Sequence, residues 1–462
     1  MASPATAPLP PEPRAPWGVR LALALAIALP LGLAAAGLLH DGWLSDTHGA
    51  FLQRVRFAVE RNRLELLGFE YPPLPFVLLI PWTSAWAALL LGTAAIAGLA
   101  WMVVHECTDR RSVLPLVLLA AALWNPIGLH LVASDFNEAL GLLALFIGWQ
   151  HYRRWWATRQ TVHGLYTGLW LGLAFYTSPL GLALALVAGA VLPILFPRLQ
   201  IPPFASQLVL IAFPGLAATA TWAYLSYIFT GAVAFPFSPW EPESPTFTAM
   251  LPWALPYLCV GLLVLLRPKA TTAGMVLPLL LLAAANRAGW HFSLGFATVL
   301  LTLVAIVALP RDLPALARPV LVALALLHAG LAWWKTPWPA LGPEDLAARA
   351  VAEALAPLPS RSVLLDDRYA ERLLKWAPSL EPYLTTRDTG YEIGVQQPLD
   401  AVRYVLAVRD EAGYTFDADT RPPTGFVPEW EWRGFALWRH PEAPRVPLAF
   451  DAVPVAAFPE SR

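Results

Sequence analysis

The stretch that decides the fold is GVRLALALAIALPLGLAAAGLL at residues 18–39, which carries no charged residue after Arg20. An α-helix needs about 20 mostly apolar residues to cross the hydrocarbon core of a bilayer. Similar runs recur along the chain, and 57% of its 462 residues are hydrophobic while only 14% are charged. Soluble domains carry about 25% charged residues. The sequence therefore predicts an integral membrane protein that crosses the bilayer many times.

Eleven apolar runs are predicted to span the membrane. They are 18–39, 74–104, 113–131, 136–150, 163–178, 179–197, 205–229, 251–266, 271–286, 291–309 and 318–334. The second run is too long for one straight helix, and its prolines, Pro75 and Pro81, predict a short entry helix followed by a full span. Ten further runs favour an uncleaved first span over a signal peptide.

The predicted fold class is an all-α polytopic membrane bundle of about 11 transmembrane helices with a small α/β C-terminal extracytoplasmic domain. Three regions follow: a disordered cytoplasmic tail at 1–16, a membrane domain at 17–337 and a soluble domain at 338–462. The net charge of −1 gives no indication of nucleic-acid binding. The two cysteines, Cys107 and Cys259, lie at or inside apolar runs, so no disulfide framework is expected.

Basic residues predict the orientation, because they are retained on the cytoplasmic side of a membrane. With the N-terminus inside, almost all basic residues of the short loops fall on the inner side: Arg14, Arg20, Arg110, Arg111, Arg153, Arg154, Arg159, Arg198, Arg267, Lys269, Arg311 and Arg318. Eleven spans then place the C-terminal domain outside, in a multi-pass protein of the cytoplasmic (inner) membrane. An even number of spans, which an error near Pro179 would give, reverses that placement.

The first outer loop, residues 40–73, departs from this charge bias. It contains Arg54, Arg56, Arg61 and Arg63, while apolar residues recur on another face at helical spacing. This pattern is typical of an amphipathic helix that lies in the membrane interface. Two interpretations remain open: a solvated, salt-bridged helix, or a basic surface that faces the phosphate of an anionic lipid substrate.

The order of motifs along this loop resembles the GT-C superfamily of membrane glycosyltransferases. Span one is followed by Ser45-Asp46-Thr47-His48, then the amphipathic helix, then Tyr71-Pro72-Pro73-Leu74-Pro75 at the start of span two. The subgroup it resembles most contains bacterial proteins similar to protein O-mannosyltransferases and the aminoarabinose-lipid transferase. Trp124-Asn125-Pro126 and Ser134-Asp135-Phe136-Asn137-Glu138, assigned to the outer junction of spans three and four, resemble a second acidic motif. Phe229-Thr230-Gly231 is a weaker third match, and the resemblance covers roughly residues 20–335.

The resemblance implies an enzyme that takes a sugar from a polyprenyl-phosphate carrier and places it on a glycan, lipid or protein acceptor. The acceptor hydroxyl must lose a proton, which a carboxylate can accept as general base. Asp46 is the predicted base, although it equally suits the N-terminus of a helix that begins near Thr47. Asp41 is the backup, since an aspartate so close to the end of span one suits an end-cap.

Asp135 and Glu138 lie three residues apart, which places them on one face of a helix. There they would bind a cation or orient the acceptor, or would simply complement the dipole of a helix that begins at that point. No tight acidic pair adjoins Asp46, which puts a metal-dependent mechanism in doubt. A divalent cation remains possible, and no other cofactor is indicated.

The leaving phosphate needs a cation. Arg287 and His291 are predicted near the outer junction of spans nine and ten, where a charged group at membrane depth tends to be functional. Together with Arg54 and Arg56 they are the predicted ligands of the lipid phosphate. The alternative for Arg287 is a snorkelling interface residue beside Trp290.

The C-terminal region alternates helical and strand patterns, which predicts a small α/β domain. The predicted helices are Pro343–Leu355 and Arg368–Trp376, and the predicted strands are Ser362–Leu365, Val402–Val408 and Phe435–Arg439. Asp366-Asp367 follows the first strand, where helix capping before Arg368 is favoured over a catalytic site. We expect this domain to position an acceptor or a partner.

Two further function classes stay open from the sequence. One is a transporter or polymerase of lipid-linked saccharides, against which the lack of a convincing internal repeat counts. The other is a GT-C-like scaffold that has lost activity. The lack of an acidic residue next to Asp46 is the reason to retain this alternative.

Overall fold

The computed structural model describes residues 16–67, 71–110, 112–158, 160–178, 180–181, 201–231, 233, 250–265, 282–283, 285–287, 292–310, 313–368, 370–408 and 423–448. The part up to Lys335 is helical. Its helices are α1 (Trp17–His40), α2 (Asp46–Glu60), α3 (Leu74–Leu79), α4 (Ala85–Arg110), α5 (Leu114–Leu123), α6 (Pro126–Ala133), α7 (Phe136–Thr158), α8 (Thr161–Thr177), α9 (Ile201–Thr230), α10 (Leu255–Leu265), α11 (Leu294–Ala308) and α12 (Ala317–Lys335), with 3₁₀ turns at Leu64–Leu67 and Leu251–Ala254.

Four helices within the described ranges are long and apolar enough to cross a membrane: Trp17–His40, Ala85–Cys107, Val209–Thr230 and Ala317–Lys335. A fifth span results if α5 and α6, which are bent by 73° relative to each other, are counted as one. A multi-pass membrane protein is thus confirmed, whereas a count of 11 spans is not reached. The predicted spans 179–197 and 271–286 lie largely outside the described residues, and α11 is an apolar helix of 15 residues.

The predicted division of the run 74–104 is confirmed. A short helix, α3, ends at Leu79, and the full-length helix α4 begins at Ala85. Pro75 lies in the first turn of α3, where its missing N–H would have had no helical partner. The two prolines therefore begin and end the entry helix.

The predicted span 113–131 is broken by a bend of 73°, because a new helix begins inside it. The Asn125 side chain caps α6: its Oδ1 accepts the N–H groups of Ile127 at 2.9 Å and Gly128 at 3.2 Å. Pro126 occupies the first turn, where proline is tolerated. Trp124 and Asn125 consequently lie in the break between α5 and α6, and not at the junction with α7.

The amphipathic helix α2 is present and packs against protein on both its apolar and its charged face, while its position relative to the membrane interface stays a prediction. Phe51, Leu52 and Val55 are fully buried in a cluster with apolar residues of α3, α4 and α7. Its charged face contacts the C-terminal region: Glu60 accepts the N–H of Leu380 at 2.7 Å, and Arg61 donates to the carbonyl of Tyr383 at 2.7 Å. The arginines that break the charge bias therefore bind protein groups.

Over its described residues, the C-terminal region is built around a five-stranded mixed sheet. Its elements are α13 (Pro343–Leu355), β1 (Val363–Leu364), α14 (Glu371–Trp376), β2 (Tyr383–Leu384), α15 (Tyr391–Gln396), α16 (Pro398–Ala401), β3 (Tyr404–Val408), β4 (Val427–Trp432) and β5 (Phe435–Arg439). The strand order is β2-β1-β3-β5-β4, with β1 parallel to both β2 and β3, and with β5 antiparallel to β3 and β4. A small α/β arrangement is confirmed.

Two strands escaped prediction for simple reasons. β2 is two residues long, and β4 contains Pro428 and two glutamates that hide its alternation. Asp366 accepts hydrogen bonds from the backbone and the guanidinium of Arg368, but it caps no helix, because α14 begins only at Glu371 with Ala370 at its N-cap position.

The two ends of the helical bundle differ in charge. At the end where α1 begins, Arg20 contacts the His105 ring at 3.3 Å, and Arg153 lies 3.1 Å from Glu106. At the opposite end, where α1 finishes, the bundle meets the C-terminal region. The two surfaces of the bundle are thus distinguishable by their basic residues.

Candidate functional site

A cavity of about 590 Å³ lies where the bundle meets the C-terminal region. Its walls come from the end of α1, the start of α2, the α6–α7 junction, the start of α11 and two C-terminal helices. The lining residues are Trp43, Leu44, Ser45, Asp46, Thr47, Ile127, His130, Ser134, Asp135, Phe292, Ser293, Leu294, Gly295, Thr336, Asp345 and Lys375. We call this space the membrane-side cavity. Both acidic motifs singled out in the sequence therefore contribute to one site.

Asp46 is the first residue of α2, which begins there because Ser45 accepts the N–H of His48 at 3.1 Å. Its side chain is 76% exposed, and its Oδ1 accepts a hydrogen bond from Lys375 Nζ at 2.6 Å. Asp46 thus has a helix-start position and a place in the cavity wall at the same time. The two interpretations that the sequence left open are compatible, and the role of base stays a prediction.

Asp135 is buried between α2 and α11. It forms hydrogen bonds with Ser293 and Thr47, which lower its pKa, but burial dominates and raises the pKa to about 7. A carboxyl in this state exchanges its proton near neutral pH. It can donate a hydrogen bond when protonated and accept one when ionised.

Glu138 lies one turn further along α7 and is directed at the start of α11. Its Oε1 accepts the backbone N–H of Ser293 at 2.8 Å, and its Oε2 accepts the Ser293 hydroxyl. Glu138 is 4% exposed and is not among the residues that line the membrane-side cavity. Its contacts hold α7 against α11, which corresponds to a supporting role behind Asp135.

The loop that carries Asp46 is tied directly to the second motif. The Ser45 hydroxyl donates to the carbonyl of Ser134 at 3.4 Å, and His48 Nε2 accepts the N–H of Phe136 at 3.3 Å. Burial of His48 lowers its pKa to about 3, so the ring is neutral, as an acceptor must be. Neither contact was predicted, because residues 88 or more positions apart carry no shared sequence signal.

A second cavity, of about 490 Å³, lies between α2 and the C-terminal sheet. We call it the domain-side cavity, and its lining is rich in charged side chains. The lining residues are Asp46, Ala50, Gln53, Glu344, Arg368, Ala370, Glu371, Arg372, Leu373, Lys375, Val408, Arg433, Gly434 and Phe435. Asp46 and Lys375 belong to both walls, so they stand at the boundary between the two spaces.

Arg54 and Arg56 lie on the face of α2 that meets the C-terminal region, and phosphate binding by them stays a prediction. Arg54 is 7% exposed and is an electrostatic neighbour of Glu371, while Arg56 donates to the carbonyl of Ala377. Burial lowers the pKa of Arg56, and Glu60 partly opposes this shift. Neither arginine lines one of the two cavities described above. Both are directed at the C-terminal region. The acceptor Ala377 and the carboxylate Glu371 of that region lie near this buried face of α2.

The remaining predicted residues lie apart from the cavities. Asp41 is exposed and caps the end of α1 through its N–H to the carbonyl of Gly37 at 2.9 Å, as its alternative interpretation predicts. Arg287 is exposed and lines neither cavity. His291 lies outside the described residues. Phosphate binding by Arg287 and His291 stays a prediction.

The site also contains residues that the sequence did not single out. Lys375, Asp345 and Ser293 reach it from segments far along the chain, and Lys375 is the only Lys or Arg among the described residues that line the membrane-side cavity. The sequence around Lys375 did not indicate a role, because this residue reaches the cavity only through the docking of the C-terminal region on the bundle. Over the described part of the chain, no group of three His, Cys, Asp or Glu side chains is arranged to hold a metal ion.

Comparison with known proteins shows which fold this arrangement belongs to. No protein-family model and no curated protein matches the chain. Among solved structures, ArnT from Cupriavidus metallidurans bound to undecaprenyl phosphate is similar, with a TM-score of 0.57 and 15% identity, covering 92% of this chain and 98% of ArnT. The apo state of the same protein gives a TM-score of 0.57 with 12% identity, covering 91% and 98%.

ArnT belongs to the GT-C superfamily, so the GT-C-like fold that the sequence motifs indicated is confirmed. The likeness covers 92% of this chain. At this level of identity it concerns the fold, and the chemistry has to be argued from the residues of this chain.

Proposed function

We propose that this chain is a membrane glycosyltransferase that moves a sugar from a polyprenyl-phosphate carrier to an acceptor on the outer face of the membrane. The observation that carries the proposal is the convergence of Asp46 and Asp135 on one cavity, in a chain with the fold of a protein solved with undecaprenyl phosphate. The cavity lies between the bundle and the C-terminal region. A lipid-borne donor and a water-borne acceptor can both reach such a position.

The reaction is an inverting displacement. The acceptor hydroxyl oxygen attacks the anomeric carbon, the bond from that carbon to the carrier phosphate breaks, and polyprenyl phosphate leaves with the electron pair. The hydroxyl proton passes to the Asp46 carboxylate, which acts as general base. Asp135 lines the same cavity and orients the acceptor through a hydrogen bond, supported from behind by Ser293 and Glu138.

The placement in the membrane follows from the charge of the two bundle ends. Arg20 and Arg153 lie at the end opposite the cavity, and basic residues are retained on the cytoplasmic side. The cavity and the C-terminal region therefore face outward, in a multi-pass protein of the inner membrane. The acceptor is a glycan, lipid or protein hydroxyl.

Transfer of radiolabelled sugar from polyprenyl-phosphate carriers in membranes tests the proposal. The wild-type chain is expected to transfer label, and the Asp46→Asn variant is expected to lose most of this activity. A wild-type chain that binds the carrier but transfers no sugar from any of them indicates the inactive scaffold instead. Movement of an intact lipid-linked saccharide across vesicles, without transfer, indicates the transporter.

A further inference from the structure

Lys375 is a buried cation held between two carboxylates from opposite ends of the chain. Its side chain is 4% exposed, and its Nζ donates to Asp46 Oδ1 at 2.6 Å and lies 2.8 Å from Asp345 Oδ1. Asp345 belongs to the first turn of α13, and Lys375 lies on α14. A helix pair of the C-terminal region therefore delivers one ammonium group to the predicted catalytic base.

The contact depends on a glycine in α2. A Cβ added at Gly49 would lie 2.5 Å from the Lys375 Cβ and 3.1 Å from its Cδ, well inside normal contact distances. Gly49 follows Asp46 by three residues, so both occupy the same face of the helix. The aliphatic stem of Lys375 thus lies across α2 at the one turn that brings its ammonium to Asp46.

Other cations near this point are engaged elsewhere. Arg368 lies 2.6 Å from Asp366, and Arg372 is paired with Glu344. Both line the domain-side cavity but have acidic partners of their own. Lys375 is thus the group whose charge is directed at Asp46.

Two carboxylates that share one cation are the arrangement in which proteins bind divalent metal ions through oxygen ligands. Here the ammonium occupies the position between the two carboxylate oxygens. We propose that Lys375 is an internal counter-ion that positions the Asp46 carboxylate and takes the place of a divalent cation between Asp46 and Asp345. The positioning role rests on the proposed function, whereas the occupation of the cation position does not.

The first experiment measures Mn²⁺ binding to the purified full-length chain by electron paramagnetic resonance, without any sugar substrate. Wild type is expected to bind no Mn²⁺ that depends on Asp345. The Lys375→Met variant opens the position, so it is expected to bind Mn²⁺ at least about tenfold more tightly, and Lys375→Met/Asp345→Asn is expected to lose this gain. Binding in wild type that disappears with Asp345→Asn, or no Asp345-dependent gain in Lys375→Met, overturns the proposal.

The second experiment measures transfer, with Lys335→Met as the matched control because Lys335 is an exposed lysine at the end of α12. Lys375→Met is expected to lower kcat at least about tenfold with KM for the carrier within about twofold, and Lys375→Arg is expected to recover part of the loss. In an Asp46→Asn background, Lys375→Met is expected to cause no further loss. A purely structural lysine would lower both backgrounds equally and show no recovery with arginine, which would remove the positioning role.

The two experiments separate the two ways of failing. A wild-type chain without transfer activity disproves the proposed function, while the Mn²⁺ measurement still decides what occupies the cation position. Thermal unfolding of each variant identifies misfolding. In Lys375→Met the carboxylates of Asp46 and Asp345 repel each other, and the additional Asp345→Asn substitution removes this repulsion. Transfer that EDTA abolishes in wild type overturns the replacement of the metal by lysine.

Discussion

The guanidinium of Arg61 lies 2.8 Å from the carboxylate of Asp388, and the two side chains are only 6% and 3% exposed. This ion pair joins the segment after span one to the loop that follows β2. Arg61 also donates to the carbonyls of Tyr383 and Leu380, at 2.7 Å and 3.2 Å. The loop that carries the predicted base is therefore fixed to the C-terminal region at both ends of α2, by Lys375 at its start and by Arg61 just past its end.

Arg61→Ala is expected to destabilise the docking of the C-terminal region strongly. Breaking a buried ion pair by removing one partner typically costs about 3–5 kcal/mol, and the low end is expected here because Arg361 lies 3.8 Å from Asp388 and Thr385 donates to it. Thermal unfolding and limited proteolysis between residues 336 and 342 in detergent measure the effect. Arg63→Ala is the control, because the Arg63–Glu65 pair is 40% and 34% exposed. Equal behaviour of the two variants would show that α2 is held by its apolar contacts alone.

The sequence predicted those parts of the fold that depend on local patterns. The helix Pro343–Leu355 and the strand Phe435–Arg439 were placed correctly, because each has its own periodicity and boundary residues. The break at Asn125 was misplaced, although a capping asparagine followed by proline is a local signal that was present. The span count depends on how apolar runs divide, and hydropathy alone does not decide that.

Only part of the candidate site was predicted from the sequence. The two acidic motifs were found, since charged residues stand out between apolar runs. The arginines of α2, Arg54 and Arg56, were assigned to the lipid phosphate, on the interpretation that this charged face meets an anionic lipid. The structure has protein on that face, and Lys375 in the place of a cation beside Asp46. Contacts across 329 positions depend on tertiary docking, which no single-sequence pattern encodes.

The pKa of Asp135 predicts a pH dependence of stability. Burial raises this pKa from 3.8 to about 7, so the folded state binds the proton more tightly than the unfolded state. Its stabilising contribution is then fully present below about pH 4 and is lost as the pH rises through about 7. Between these values the unfolding temperature of wild type should fall relative to that of Asp135→Asn, which does not titrate. Asp41→Asn is the control, and a constant difference between wild type and Asp135→Asn over this range would refute the shift.

The charge difference between the bundle ends predicts the topology. A reporter active only outside the cytoplasm should be active when it follows Arg462, and inactive when it is inserted after Arg111. Arg20 and Arg153 lie at the end of the bundle away from the cavity, which favours an N-terminus inside. Because the end of α1 and the C-terminal region line one cavity, activity of a cytoplasmic reporter after Arg462 would mean that the chain is inserted in the reverse orientation, with the cavity facing inward.

Asp46→Asn should abolish most transfer while leaving the fold intact. The side chain is exposed and the substitution changes little volume, so insertion and folding should be unaffected. Loss of a general base typically lowers the rate by a factor of about 10² to 10⁴. Asp41→Asn is the matched control, because Asp41 lies five residues earlier, is also exposed, and lines neither cavity. The measurement is transfer of labelled sugar from a polyprenyl-phosphate carrier, normalised to the amount of folded protein. Since the carrier is held by other groups, its apparent affinity should change little in Asp46→Asn.

Full activity in Asp46→Asn, or equal losses in both variants, would place the base elsewhere. Asp135, which lines the same cavity, would then be the residue to test, with Glu138 behind it.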